Sequence, residues 1–246
     1  VMVCRHETNI AETTDVAQRP EFASRKRTAT IDGRTVTGWF TTDFTLAELK
    51  TLRAKERLAT LRVHNTRYDG HFDIPTFEEM IDFVAAESAA RGRVLGLIPE
   101  IKHSTHFHAL GFDPEALFLR TIAAHDYTCT APLEVQSFET GNLQRIGADV
   151  RAINPQARLM LLMGERTNIP PDLAAKGQKT TFGDLMTPAG LKDVRRYADV
   201  IGPSLTDLLP RYARAAWLPP SSLVADVQSV DRLVHAYTSP PANHSL

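Results

Sequence analysis

Cysteine is scarce: only Cys4 and Cys129 occur in 246 residues. That excludes a disulfide-dense scaffold and leaves at most one bridge, whose formation the sequence does not decide. No apolar run is long enough to span a bilayer. Neither sign of charge dominates, since 28 Lys and Arg stand against 29 Asp and Glu, for a formal net charge of −1. No overall basic field therefore exists to gather nucleic acid or anionic membrane, although net charge does not speak for one local cleft. There is no GxGxxG turn and no P-loop, so nucleotide binding has no support. What is present is an ordinary globular balance, 43% hydrophobic and 23% charged. It suffices for one large α/β domain or two small ones.

Short apolar strands alternate with amphipathic helices along the chain. Val1–Cys4 reads as a strand, followed at once by polar Arg5, His6 and Glu7. From Asn9 to about Gly70 long apolar periodicity is lost, which marks an excursion. Within it, 45–54 reads as a helix capped by Thr45, with Leu46, Leu49 and Leu52 on one stripe. A helix follows Pro75, with Thr76 as its cap and Glu78 and Glu79 in its first turn. Strands are predicted at 94–98, 133–138, 158–163, 199–203 and 233–238, and helices at 114–124, 140–146, 187–197 and 221–230. This is the pattern of a parallel sheet with helical crossovers, satisfied by a barrel or by a doubly wound open sheet. Polar residues at several strand ends (His6, Glu100 with Lys102, Gln136 with Ser137, Tyr237) favour the barrel, which collects many strand ends around one mouth.

Glu100-Ile101-Lys102 is the strongest local signal. Residues two apart on a strand share a face, so a carboxylate and an ammonium point the same way at a strand's carboxyl end. Such a pair suits an anionic substrate, with Glu100 on a divalent metal and Lys102 on a phosphate oxygen. It equally reads as a plain ion pair. His6 has the pKa range of a general acid or base, but by itself is a polar residue at a strand end. His103, His106 and His108 invite a zinc reading, yet their spacing lacks HExxH regularity and no cysteine is near, so a loop cluster is expected. Ser137 has no GxSxG elbow and reads as a small packing residue. Arg25-Lys26-Arg27 reads as a solvated basic loop.

An ordered series of motifs resembles the long-insert, bacterial-type glycerophosphodiester phosphodiesterases. It comprises Arg5-His6-Glu7, Thr13-Thr14-Asp15-Val16-Ala17, Arg19-Pro20-Glu21-Phe22-Ala23, Ile31-Asp32-Gly33 and Thr37-Gly38-Trp39-Phe40. It continues through Asp43-Phe44-Thr45-Leu46, Asn65-Thr66, Tyr68-Asp69-Gly70, Ile74-Pro75-Thr76-Phe77, Pro99-Glu100-Ile101-Lys102-His103 and Gln136-Ser137-Phe138-Glu139. Each piece is weak alone; in order over nearly the whole chain they are specific.

The resemblance implies a TIM (β/α)8 barrel with an insert, residues 9–72, after the strand ending at His6 and covering the barrel mouth. It implies hydrolysis of a glycerophosphodiester to sn-glycerol 3-phosphate and an alcohol. A divalent cation, Ca²⁺ or Mg²⁺, and two histidines that exchange protons would do the chemistry. By position, His6 matches the second catalytic histidine, with Glu7 where many members have Asp. Glu100 matches a metal-ligand carboxylate and Lys102 the phosphate-contacting lysine. Gln136, Phe138 and Tyr237 fall where the family lines its pocket. A periplasmic or secreted location goes with the resemblance. The small-molecule diester is the expected partner, with no nucleic acid and no transmembrane segment.

The family's His-Arg-Gly segment and its Glu-x-Asp segment have no counterpart in these 246 residues, and Tyr237-Thr238-Ser239-Pro240 departs from its Tyr-Thr-Phe-Arg. The resulting expectation is a barrel incomplete at both ends and a chain inactive by itself. The competing expectation is a non-catalytic relative that keeps phosphate binding.

Overall fold

The computed structural model describes residues 1–210 and 219–237. Two compact units divide the chain, 1–90 and 91–246.

The first unit is built mainly from turns. Residues Arg27–Ile31 (β1) and Arg34–Gly38 (β2) pair antiparallel as a hairpin. Asp32 and Gly33 turn it with φ of 49° and 77°, the left-handed pair that matches strand twist and that an Asp-Gly sequence favours. Helix α1, Leu46–Thr51, starts in a capping box: Thr45 Oγ1 accepts from the Glu48 amide while Glu48 accepts from the Thr45 amide. Those bonds satisfy amides that the first turn leaves open. Helix α2 runs Phe77–Ala90. Ile10, Val16, Phe22, Trp39, Leu49, Leu52 and Ile74 form one buried cluster, and the Trp39 indole donates to the Phe22 carbonyl at 2.7 Å.

The second unit is a parallel sheet with helical crossovers. Strands Glu134–Ser137 (β3), Arg158–Leu162 (β4), Val200–Gly202 (β5) and Leu233–Val234 (β6) lie in the order β3-β4-β5-β6, every pair parallel. Helices α3 (Ser104–Ala109), α4 (Pro114–Ala123) and α5 (Asp126–Thr130) precede β3, and α6 (Thr140–Ile153) joins β3 to β4. Between β4 and β5 come α7 (Pro171–Ala175), α8 (Phe182–Leu185) and α9 (Pro188–Val194). The short α10 (Leu205–Leu208) and α11 (Leu223–Gln228) precede β6. Helix α6 buries Leu143, Ile146 and Val150 on one stripe. Alternation along the strands separates two faces: Val135 and Ser137 are buried, while Glu134 and Gln136 lie on the half-buried opposite face.

The structure corrects several element expectations. Val1–Cys4 is not a strand but a single antiparallel bridge, Val3 with Thr76. Residues 94–98 are not a strand either. The segment does extend the sheet beside β3, with bridges at Leu97–Leu133 and Glu100–Gln136. The amides of Leu97 and Ile101 donate to Pro132 and Gln136, and those of Glu134 and Gln136 donate to Leu97 and Pro99. The rung between these bonds would start at the amide of residue 99, and proline has none. The helix expected over 140–146 runs on to Ile153, and that over 45–54 is confined to Leu46–Thr51. The strand over 233–238 shortens to Leu233–Val234 plus a bridge at Tyr237, and Thr238 lies outside the described residues. His106 and His108 stand on α3, not in a loop. The basic run 25–27 is largely solvent-exposed, and Arg25 and Arg27 within it also pair with Glu48 and Asp43. Both cysteines are free.

Candidate active site

The carboxyl end of the 97–101 segment presents the expected pair. Ile101 is buried on one face while Glu100 and Lys102 share the other, as a two-residue period requires. Lys102 Nζ lies 3.3 Å from Glu100 Oε1, with the two side chains 20% and 19% exposed. The ammonium also stands 5.9 Å from the Phe138 ring centroid. Directly after Lys102 the chain turns through His103, at φ 52° and ψ 37° in the left-handed region, and enters α3. A non-glycine residue there carries local strain. Glu139 anchors this turn from the other side, its carboxylate accepting from the Thr105 amide at 3.0 Å.

Gln136 bridges Glu100 in register, and its side-chain amide donates to the Ile98 carbonyl at 3.4 Å. Phe138, just beyond β3, meets Tyr237, just beyond β6, edge to face at 5.7 Å, and Phe182 at 6.2 Å. Phe138 and Tyr237 rest on Met160, Leu162 and Val200, the inward residues of β4 and β5. The Tyr237 hydroxyl donates to the Met163 carbonyl at 2.6 Å. Burial, then the nearby Asp207, Glu165 and Glu100 carboxylates, push its phenol up to about 12. Glu100, Lys102, Gln136, Phe138 and Tyr237 thus gather at one end of one parallel sheet.

His6 belongs to the first unit. It is exposed, with Nδ1 2.7 Å from Glu7 Oε1. Ser137 is buried and fully engaged: its hydroxyl donates to the Ile101 carbonyl and accepts from the Glu139 amide and the Asn142 side chain. It is a packing residue, as its sequence context predicts.

Sequence reasoning missed the acids around Tyr237. Ser204 caps α10, its hydroxyl accepting from the Asp207 amide, while the Asp207 carboxylate accepts from Arg166 at 2.9 Å, and Glu165 is exposed. The Ser-x-x-Asp spacing signals a helix start but not a place beside a tyrosine thirty residues on.

A curved parallel sheet with its polar residues at the strand carboxyl ends is the arrangement of barrel proteins. The chain belongs to the glycerophosphoryl diester phosphodiesterase family, whose model matches residues 1–241; the fold of that family is the TIM barrel. It is 32% identical over 259 residues to glycerophosphodiester phosphodiesterase GDPD6 of Arabidopsis thaliana, covering 100% of this chain and 65% of that protein. It is 25% identical over 255 residues to a glycerophosphodiester phosphodiesterase of Haemophilus influenzae, covering 96% and 66%. With that of Treponema pallidum it shares 26% over 242 residues, covering 92% and 65%. The chain therefore spans just under two thirds of the length of these relatives.

Members of the family generally use a divalent cation. Glu100 suits one oxygen donor for such an ion, but a hard cation takes six or more oxygen ligands. Among the described residues the three-donor cluster is His108, Asp113 and Glu115. There Glu115 already accepts from Ser104, His108 and Arg145, and Asp113 caps α4. A guanidinium on the central carboxylate opposes a second cation, so this cluster fits an ion-pair network better than a metal centre. The described residues do not by themselves complete a cation site at Glu100.

Proposed function

We propose that the protein is a phosphoric diester hydrolase that splits glycerophosphodiesters into sn-glycerol 3-phosphate and an alcohol. Lys102 carries the reading: its ammonium is held by Glu100 at 3.3 Å at the carboxyl end of a sheet segment, in a member of this family. An ammonium so placed offsets the charge that grows on phosphoryl oxygens. His6 is the general acid in this reading. Glu7 engages Nδ1, which leaves Nε2 to deliver a proton to the departing alkoxide. Gln136, Phe138 and Tyr237 line the substrate. Ca²⁺ or Mg²⁺, taking Glu100 as one of its ligands, would supply charge neutralisation at the phosphate.

The 246 residues hold one histidine and one carboxylate of the two-histidine, metal-assisted scheme that the resemblance implies, so in this reading the chain by itself does not turn over. A second reading, a non-catalytic phosphate-binding relative, is favoured by the engagement of Glu100 with Lys102 in place of a donor cluster. Assaying the gene's full translation product for glycerol 3-phosphate release, with and without chelator, separates the two. Chelator-sensitive release lost in Lys102→Ala supports the hydrolase. Phosphate binding with no release assigns the second reading.

A further inference from the structure

We propose that the loop spanning 57–72 in the first unit is a docking surface for an anionic phospholipid bilayer. Four of that unit's seven exposed large apolar side chains fall in this stretch: Leu61 at 70%, Val63 at 60%, Tyr68 at 45% and Phe72 at 61%. They are held out on an ordered loop. The Ala54 amide donates to the Phe72 carbonyl at 2.7 Å and the Gly70 amide to the Ala54 carbonyl at 2.9 Å, which closes its neck. Inside, the Glu56 amide donates to Asp69 and the Asn65 side chain to Glu56. The Leu61 and Arg62 amides both donate to the Leu58 carbonyl. Tyr68 and Phe72 adjoin, their ring centroids 6.1 Å apart, and adjoining exposed apolar side chains mark an interaction site.

Charge selects the partner. Arg57, Arg62 and Arg67 are exposed on this loop, against Asp69 within it and Glu56 at its neck, which lies 3.9 Å from Arg62, so the loop keeps a net positive charge. The arginines alternate with the apolar residues, as Leu61-Arg62-Val63 and Arg67-Tyr68, and the Arg67 guanidinium lies 4.7 Å from the Tyr68 ring centroid while donating to its hydroxyl at 2.7 Å. A protein interface sets an apolar core apart from a polar rim. A lipid interface instead takes interleaved residues, apolar side chains entering the acyl boundary while arginines reach phosphate headgroups. Neither the proposed hydrolysis nor its failure bears on this surface.

The 246-residue protein should co-sediment with vesicles of 30% phosphatidylserine in phosphatidylcholine, and much less with pure phosphatidylcholine or in high salt. Each arginine near an anionic surface is worth about fivefold in partitioning. The R57Q/R62Q/R67Q variant should therefore lose about a hundredfold, and L61S/V63S should lose binding at unchanged thermal midpoint. Should the apolar variant not fold, the arginine variant, altered only at exposed positions, carries the test. Wild-type protein left in the supernatant with phosphatidylserine vesicles would overturn the proposal. So would binding unchanged in the arginine variant, or light scattering that shows a dimer dissociated by L61S/V63S.

Discussion

His235 Nδ1 lies 2.8 Å from Glu134 Oε1, although β4 and β5 separate their strands in the sheet. In a flat sheet three strand spacings would keep these side chains about 14 Å apart. The contact requires the sheet to curl strongly, with β3 and β6 turned toward one another. The Phe138–Tyr237 contact beyond the carboxyl ends of the same two strands says the same. This curvature turns a row of strand ends into one site.

The ion pair itself should contribute little, because His235 is half exposed. A double-mutant cycle on Glu134→Gln and His235→Gln should give a coupling of about 1 kcal/mol or less at near-neutral pH. Coupling of several kcal/mol in denaturant titrations would mean the contact holds the curvature rather than reporting it.

Tyr237 should resist ionisation. Burial and the Asp207, Glu165 and Glu100 carboxylates raise its phenol to about 12. A raised folded-state pKa stabilises the protonated form, so its stabilising effect is full below pH 10 and is lost as pH rises through about 12. Absorbance titration at the tyrosinate band should lack two phenols until that range, Tyr237 and Tyr197, whose phenol burial also raises, and Tyr237→Phe should remove the earlier of the two late steps. Tyr237→Phe should cost about 1 kcal/mol through the lost bond to Met163, and a Tyr237 that titrates near 10 removes the account of its surroundings.

Glu48, paired with Arg25 and closing the capping box of α1, is one carboxylate that makes the first unit acid-sensitive. The Arg25 hydrogen bond first, then the Thr45 amide, lower the Glu48 carboxyl to about 2. A depressed folded-state pKa stabilises above the ordinary carboxylate range and is lost as pH falls toward 2. Thr45→Ala should cost about 1 kcal/mol, and Glu48→Gln should flatten the acid limb of the melting profile. An unchanged acid limb in Glu48→Gln would show that other carboxylates govern it.

Gly190 in α9 has no room for a side chain. A β-carbon there would lie 2.2 Å from the Asp184 carbonyl oxygen. Backbone cannot swing aside as a side-chain tip does, so Gly190→Ala should destabilise by about 1–3 kcal/mol. Equilibrium unfolding of the variant measures this directly, and a neutral result would require α8 and α9 to shift apart.

On the proposed hydrolase reading, Lys102→Ala in the full translation product should lower kcat/KM about a hundredfold, the scale of one charged donor to a developing oxyanion. His6→Ala should lower kcat about 10²–10⁴-fold, as removal of a general acid does. A His6 variant with wild-type turnover would assign the proton to another group.

Much of the fold was legible in local pattern. The strand–helix alternation of the second unit, the caps at Thr45 and Thr76, and the burial of Leu49 and Leu52 follow from spacing within a few residues, although Leu46 of the same stripe is exposed. The β1–β2 hairpin was missed although Asp32-Gly33 announces it, because its flanking strands are polar and mostly exposed. Pro99 broke the expected strand because hydrogen-bond pairing depends on which amide faces the neighbour, a matter of register that composition does not carry.

By itself the sequence determined that Glu100 and Lys102 share one face, since a strand's two-residue period is a local property of the backbone. It also set, through its motif order, the family to which the chain belongs. Only the tertiary structure decided that Phe138 meets Tyr237 and that Glu134 meets His235, 101 positions apart. Those contacts depend on how far the sheet curls, which is fixed by the packing of inward residues such as Met160, Leu162 and Val200 and by helices such as α6 on the outer face.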